Sequence, residues 1–106
     1  MEIIENKKKE LYEVCSNYKV DELYAFGSLL TEQFNKESDI DLIVSIISED
    51  PLEYAENYFE LKFALEKLFN RKIDLLEQKS IGNKTFGKLV NKKKKLIYAR
   101  KNHGLA

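Results

Sequence analysis

The stretch SDIDLIVSII, residues 38–47, decides the fold, because it is the longest run in the chain that is rich in Ile, Leu and Val. Side chains alternate between the two faces of a strand. One face carries Ile40, Leu42, Val44 and Ile46, and the other carries Asp39, Asp41, Ile43, Ser45 and Ile47. Apolar residues on both faces predict a central strand that is covered on both sides.

The segments on either side of this strand alternate between helix and strand patterns. Apolar spacing and turn residues predict a helix over 2–18, a strand over 22–26, a helical turn over 29–34, a helix from Pro51 to about Asn70 with Asp50 as its N-cap, a strand over 72–76, a helix over 83–91 and a strand over 95–99. We therefore predict one α/β domain over 1–106, with a small mixed β-sheet flanked by helices and a frayed tail over 100–106.

Composition limits the classes of function. The chain has 106 residues, and its 18 basic and 18 acidic residues give a formal net charge of zero, which disfavours a general nucleic-acid binder without excluding a local basic patch. Cys15 is the only cysteine, so no internal disulfide can form. No apolar run has the length of a membrane span, and the charged N-terminus does not resemble a signal peptide. We expect a soluble, cytoplasmic protein.

Asp39 and Asp41 are the first candidate functional residues. They lie two apart on a strand, so their carboxylates project from the same face and repel each other unless a cation lies between them. Mg²⁺ prefers such oxygen ligands and keeps coordination sites open for water and phosphate. A pair of these ions can hold the attacking and leaving oxygens of a displacement at phosphorus.

Gly27, Ser28 and Asp74 complete the candidate set. Gly27 allows a tight turn and close approach of a ligand, and backbone amides and the Ser28 hydroxyl can donate to phosphate. Asp74 is the one acid in an apolar strand, and it can reach the same metal if its strand pairs with residues 39–47. There it would bind the metal and orient or deprotonate an attacking hydroxyl.

Each feature taken alone is more often structural. Gly-Ser is usually a turn, Asp-x-Asp a solvated strand edge, and a single acid such as Asp74 a salt-bridged residue. The basic run 92–95 is typical of a solvated face, with a phosphate or RNA role as the alternative. His103 lies in the predicted tail, and Cys15 fits an apolar helical stripe. The aromatic series Tyr54, Tyr58, Phe59 and Phe63 is typical of a core, although any exposed part would suit a dimer or partner surface.

Taken together, these residues resemble the nucleotidyltransferase superfamily related to DNA polymerase β, and most of all its minimal prokaryotic nucleotidyltransferases. The matching stretch runs from Phe26-Gly27-Ser28 to Val44, and Ile73-Asp74-Leu75 and Leu96-Ile97-Tyr98 match later strands. The resemblance implies Asp39, Asp41 and Asp74 as catalytic metal ligands for two Mg²⁺ ions. It also implies Gly27 and Ser28 as binding residues for ATP or another nucleoside triphosphate.

The resemblance further implies a toxin–antitoxin role, since such proteins are often paired with a helical HEPN partner that they adenylylate. One departure is that many relatives follow Gly-Ser with a small residue, Arg and Gly, whereas this chain has Leu29-Leu30-Thr31-Glu32. Lys36 is the candidate substitute for the missing positive charge.

Three functions follow from the sequence. The leading hypothesis is a Mg²⁺-dependent transfer of a nucleotide, with AMP from ATP expected, to an acceptor hydroxyl. The alternative is a catalytically weak or inactive antitoxin that acts by contact with its partner. A structural domain without ligands is the third. The sequence leaves open the base, the acceptor (a protein, an RNA end or a small molecule) and homo-oligomer formation.

Overall fold

A computed structural model describes residues 1–82 and 84–100 of the chain. The elements are α1 (Glu2–Glu5), α2 (Lys8–Asn17), β1 (Val20–Phe26), a 3₁₀ turn (Gly27–Leu30), β2 (Ile40–Ile46), α3 (Pro51–Phe69), β3 (Ile73–Glu77), a second 3₁₀ turn (Gln78–Ser80), α4 (Thr85–Lys93) and β4 (Lys95–Ala99). Asn83, where the last helix was expected to begin, lies outside the described residues, as do residues 101–106 of the predicted tail and therefore His103.

The sheet has four strands in the order β3-β2-β1-β4. β1 is antiparallel to both β2 and β4, whereas β2 and β3 are parallel. Parallel neighbours need a crossover connection, which α3 supplies between β2 and β3. The sheet is therefore mixed and flanked by helices, and the predicted fold class is confirmed.

The central strand, β2, is covered on both faces. Ile40, Leu42 and Val44 are fully buried in the main core, which includes Leu61 and Leu65 of α3. On the opposite face Ile43 is fully buried too. Helix α4 and the residue that ends it pack on that face of the sheet: the rings of Phe26 and Phe86 have centroids 6.4 Å apart, and the ammonium of Lys94, directly after α4, lies 4.0 Å from the centre of the Tyr24 ring.

The ends of α3 follow the sequence signals. Asp50 accepts a hydrogen bond from the backbone N–H of Leu52 at 3.4 Å, with Pro51 as the first helical residue. Asn70 ends the helix in the left-handed conformation, with φ of 53°.

The single N-terminal helix predicted over 2–18 is wrong in one respect, because the chain forms two helices separated at Asn6 and Lys7. Lys7 leaves the helical region, with φ of −120° and ψ of 23°. The break falls in a polar run with no apolar residue to anchor it, and it lets both Ile3 and Ile4 of α1 pack against the core. The predicted helical turn over 29–34 is also shorter and earlier, at Gly27–Leu30.

Among the described residues, no helix combines the length and the apolar character needed to cross a lipid bilayer.

Candidate active site

Parallel pairing of β2 with β3 brings Asp41 opposite Asp74, in a register that also aligns Ile40 with Ile73 and Leu42 with Leu75. The apolar partners on either side point into the core and are buried, so the two aspartates point to the other face of the sheet. Thirty-three residues of sequence separate the pair, and α3 is the connection that closes this distance. The structure therefore brings these two acids together at one end of the sheet.

The pKa of the Asp41 carboxyl group reflects the same closeness to Asp74. The pKa of Asp41 is raised to about 6, first by burial, then by the neighbouring charge of Asp74, by a hydrogen bond with Asp74 and by the charge of Asp39. A like charge held close to a carboxyl group disfavours ionisation of that group. The cluster therefore favours any cation that could bind between the carboxylates.

Asp39 lies at the border of the cluster, directly before β2. Its carboxylate is 4.0 Å from the ammonium of Lys72, and both side chains are substantially exposed. An exposed ion pair of this length contributes little to stability. Asp39 therefore acts on Asp41 through its charge, and its present ion pair would cost little to exchange for another ligand.

Gly27 packs directly against the carboxylate of Asp41. Its φ is +74°, and a Cβ atom added there would collide with the Asp41 carboxylate oxygen and lie 3.3 Å from its Cγ. Antiparallel pairing of Phe26 with Asp41 sets this approach. Glycine is needed here both for the left-handed backbone and for the space beside the acid.

Ser28 is the second residue of the 3₁₀ turn, and its carbonyl accepts hydrogen bonds from the backbone N–H and the hydroxyl of Thr31, both at 2.9 Å. Its own hydroxyl makes no hydrogen bond to another described residue, so it is free to donate to a ligand. The structure thus brings Gly27 and Ser28 to the Asp41 end of the sheet.

The donors suit a hard divalent cation, because they are all carboxylates and their mutual repulsion would be relieved by one. Within the described ranges, however, no three His, Cys, Asp or Glu side chains already have the arrangement of a metal site. Asp41 and Asp74 face each other across the paired strands, and Asp39 pairs with Lys72. The carboxylates therefore fit Mg²⁺ in chemistry, and the structure brings Asp41 and Asp74 together as the nearest pair.

A groove of about 530 Å³ opens beside Gly27. It lies between the 3₁₀ turn and the junction of α4 with β4, and its lining residues are Phe26, Gly27, Leu30, Thr31, Leu89, Lys93 and Lys95. Lys36, the predicted substitute for the missing arginine, is exposed in the loop before β2 and does not line the groove. A larger opening of about 850 Å³ between α2 and β4 contains none of the acidic cluster.

The sequence did not predict that Lys93 and Lys95 line this groove. The basic run over 92–95 was the only signal, and it could not distinguish a solvated face from a groove lining. Lys94, between them, is used elsewhere: its ammonium donates to Gln78 at 2.8 Å and lies over the Tyr24 ring.

Fold and site together define the class of protein. A mixed sheet with two facing aspartates beside a glycine turn is the arrangement expected of a nucleotidyltransferase domain. The sequence profile of the family described as "Polymerase beta, Nucleotidyltransferase" matches residues 9–103. The chain belongs to this family, and the predictions of its family and of nucleotidyltransferase as its enzyme class are confirmed.

Two relatives from Methanocaldococcus jannaschii are similar over most of their length. "Putative protein adenylyltransferase MJ1215" is 41% identical over 80 residues, which cover 76% of this chain and 86% of the relative. "Putative protein adenylyltransferase MJ1379" is 38% identical over 82 residues, covering 77% and 78%.

Solved structures agree on the fold. One described as "Structure of putative minimal nucleotidyltransferase" superposes with a TM-score of 0.70 at 20% identity, covering 88% of this chain and 91% of that one. Another, described as a toxin–antitoxin with AMP-PNP, gives a TM-score of 0.65 at 20% identity, covering 87% and 73%. A third, the toxin–antitoxin MntA-HepT, gives 0.59 at 18% identity, covering 90% and 72%.

Proposed function

We propose that this chain is a Mg²⁺-dependent adenylyltransferase that transfers AMP from ATP to a hydroxyl group of a partner protein. The single observation that carries the proposal is Asp41 facing Asp74 across the parallel strands, with Gly27 packed against the Asp41 carboxylate. The names of the two archaeal relatives support adenylyl transfer as the reaction. The AMP-PNP complex of a structural neighbour supports ATP as the nucleotide.

Asp39, Asp41 and Asp74 would hold Mg²⁺, which when bound neutralises phosphate charge and lowers the barrier to attack at phosphorus. Gly27 and Ser28 would bind the triphosphate, Gly27 by admitting it close to the backbone and Ser28 by donating its hydroxyl. Asp74 would orient the acceptor hydroxyl and accept its proton.

The transfer balances without a further reactant. The acceptor oxygen forms a bond to the α-phosphorus, and the bond from that phosphorus to the oxygen bridging to the β-phosphate breaks. Pyrophosphate leaves with the bond electrons, and the acceptor proton passes to the carboxylate. Positioning and charge neutralisation supply most of the catalysis in such reactions, so a small domain can perform them.

Asp39→Asn together with Asp41→Asn tests this mechanism. We expect the double variant to lose AMP transfer from α-labelled ATP to a co-expressed partner while it keeps its circular dichroism spectrum. Asp21→Asn is the matched control, because Asp21 lies in β1 and outside the acidic cluster. Transfer by the double variant at the wild-type rate would rule the mechanism out.

We propose a HEPN-type helical protein as the partner, with this chain as its antitoxin. The toxin–antitoxin description of the structural neighbours supports a partner of this kind. A second observation is the exposed apolar face of α3, where Leu52, Phe59 and Phe63 are 69%, 53% and 62% exposed. These residues are seven and four apart, so they share one helical face and suit a protein surface.

The same apolar face favours a second candidate function, an antitoxin that acts by contact alone. The two functions make different predictions for the Asp39→Asn, Asp41→Asn double variant in a toxicity assay. Loss of neutralisation supports transfer as the mechanism, whereas full neutralisation by the double variant supports contact. Phe59→Asp with Phe63→Asp should weaken partner binding under either mechanism.

A further inference from the structure

The groove beside Gly27 adjoins the acidic cluster but is chemically different from it. Its walls are apolar at Phe26, Leu30 and Leu89, and its basic residues are Lys93 and Lys95. A volume of about 530 Å³ lies within the usual range for a small-molecule site. Because Gly27 contacts Asp41 and also lines the groove, a ligand could span from the groove to the acids.

Both lysines are available for a ligand. Lys93 is the last residue of α4 and Lys95 the first of β4, and both are exposed. Within the part of the chain that the structure describes, neither ammonium lies within 4.0 Å of a carboxylate. Lys94, which lies between them, points to Gln78 and Tyr24 instead. Lys93 and Lys95 therefore line the groove while Lys94 does not.

The turn that the ligand would approach supplies no positive charge of its own. Residues 27–32 read GSLLTE, which contains an acid and no base. A triphosphate carries several negative charges, and its terminal phosphates must be neutralised by groups outside this turn. Apolar walls strengthen such attraction because they keep water away from one side of the charges.

We propose that Lys93 and Lys95 bind the terminal phosphates of the nucleotide in this groove. The proposal rests on the proposed function, since it assigns the part of that substrate that lies away from the acids. Lys93 and Lys95 are then substrate-binding residues contributed by the α4–β4 junction, 65 and 67 positions after Ser28.

Lys93→Gln with Lys95→Gln tests the proposal by titration calorimetry with Mg²⁺ and either ATP or AMP. Glutamine removes the charge, keeps a polar side chain and has a helix propensity close to that of lysine, so the fold should persist. We expect the affinity for ATP to fall about tenfold and the affinity for AMP to change less than about twofold, because AMP lacks the terminal phosphates. Inorganic tripolyphosphate should bind to the wild type and compete there with ATP. It should bind more weakly to the double variant, for the same reason as ATP does.

Lys92→Gln is the matched control, because Lys92 is an exposed lysine of the same run that does not line the groove. The proposal is overturned if the double variant binds ATP as the wild type does, if Lys92→Gln weakens ATP binding equally, or if AMP binding falls as much as ATP binding. In each of these cases transfer by the wild type would leave the proposed function standing. A wild type that binds no ATP would overturn both.

Discussion

Replacing Gly27 with alanine should damage activity far more than stability. The residue has φ of +74°, and the left-handed conformation costs an alanine about 1 kcal/mol. An added Cβ would also collide with the Asp41 carboxylate, whose Cγ would lie 3.3 Å away. Turning that side chain off its rotamer costs about 1 kcal/mol more. We expect a total loss of about 2 kcal/mol in the free energy of unfolding.

Gly82→Ala separates the two contributions. Gly82 has a nearly identical φ of +71°, but an added Cβ there meets nothing within 4 Å. This control should lose about 1 kcal/mol from backbone strain alone. Urea unfolding at 25 °C measures both variants against the wild type. Equal losses for the two alanines would refute the collision with Asp41.

The same collision gives the expected effect on transfer. A displacement of about 1 Å in a group that positions the reaction can lower the rate about 100-fold. We therefore expect Gly27→Ala to lose about two orders of magnitude in AMP transfer and Gly82→Ala to remain close to the wild type. A Gly27→Ala variant with normal transfer would show that Asp41 need not stay where the structure places it.

Two further predictions concern stability. Burial raises the pKa of the Cys15 thiol to about 12, whereas a thiol in an unfolded chain has a pKa near 8.5. Above a pH of about 8.5, only the unfolded chain therefore loses the thiol proton. The free energy of unfolding should then fall by about 1.4 kcal/mol for each unit of pH. Urea unfolding between pH 9 and 10 should show a smaller fall for Cys15→Ala than for the wild type, and parallel profiles would contradict this. Asn70 ends α3 at φ of 53°, so Asn70→Gly should stabilise the protein by about 0.5 kcal/mol in thermal unfolding. An Asn70→Gly variant whose melting temperature is equal to or lower than that of the wild type would contradict this reasoning.

Much of the fold could be predicted because its signals are local. The apolar run over 38–47, the Asp50-Pro51 start of α3 and the β4 pattern over 95–99 each depend on residues within a few positions of one another. The break at Asn6 and Lys7 could not be predicted in the same way, because helical spacing continues across it and only packing of Ile3 and Ile4 against the core requires the change of direction.

In the candidate site, too, some residues could be predicted from the sequence and others could not. Gly27, Ser28, Asp39, Asp41 and Asp74 could be selected from the sequence because their types and spacing suit phosphate and metal chemistry. Lys93 and Lys95 could not be selected, because four consecutive lysines differ only in the direction of their side chains. That direction depends on how α4 ends and β4 begins.

The sequence by itself determined the central strand, the helix that follows it and the two acids, Asp39 and Asp41, where that strand begins. Only the tertiary structure decided that Asp41 faces Asp74 and that two lysines border the Gly27 turn. The physical reason is that local propensity acts between near neighbours in the chain. Strand register and groove lining are instead set by which buried faces pack together, across 33 residues for the aspartates.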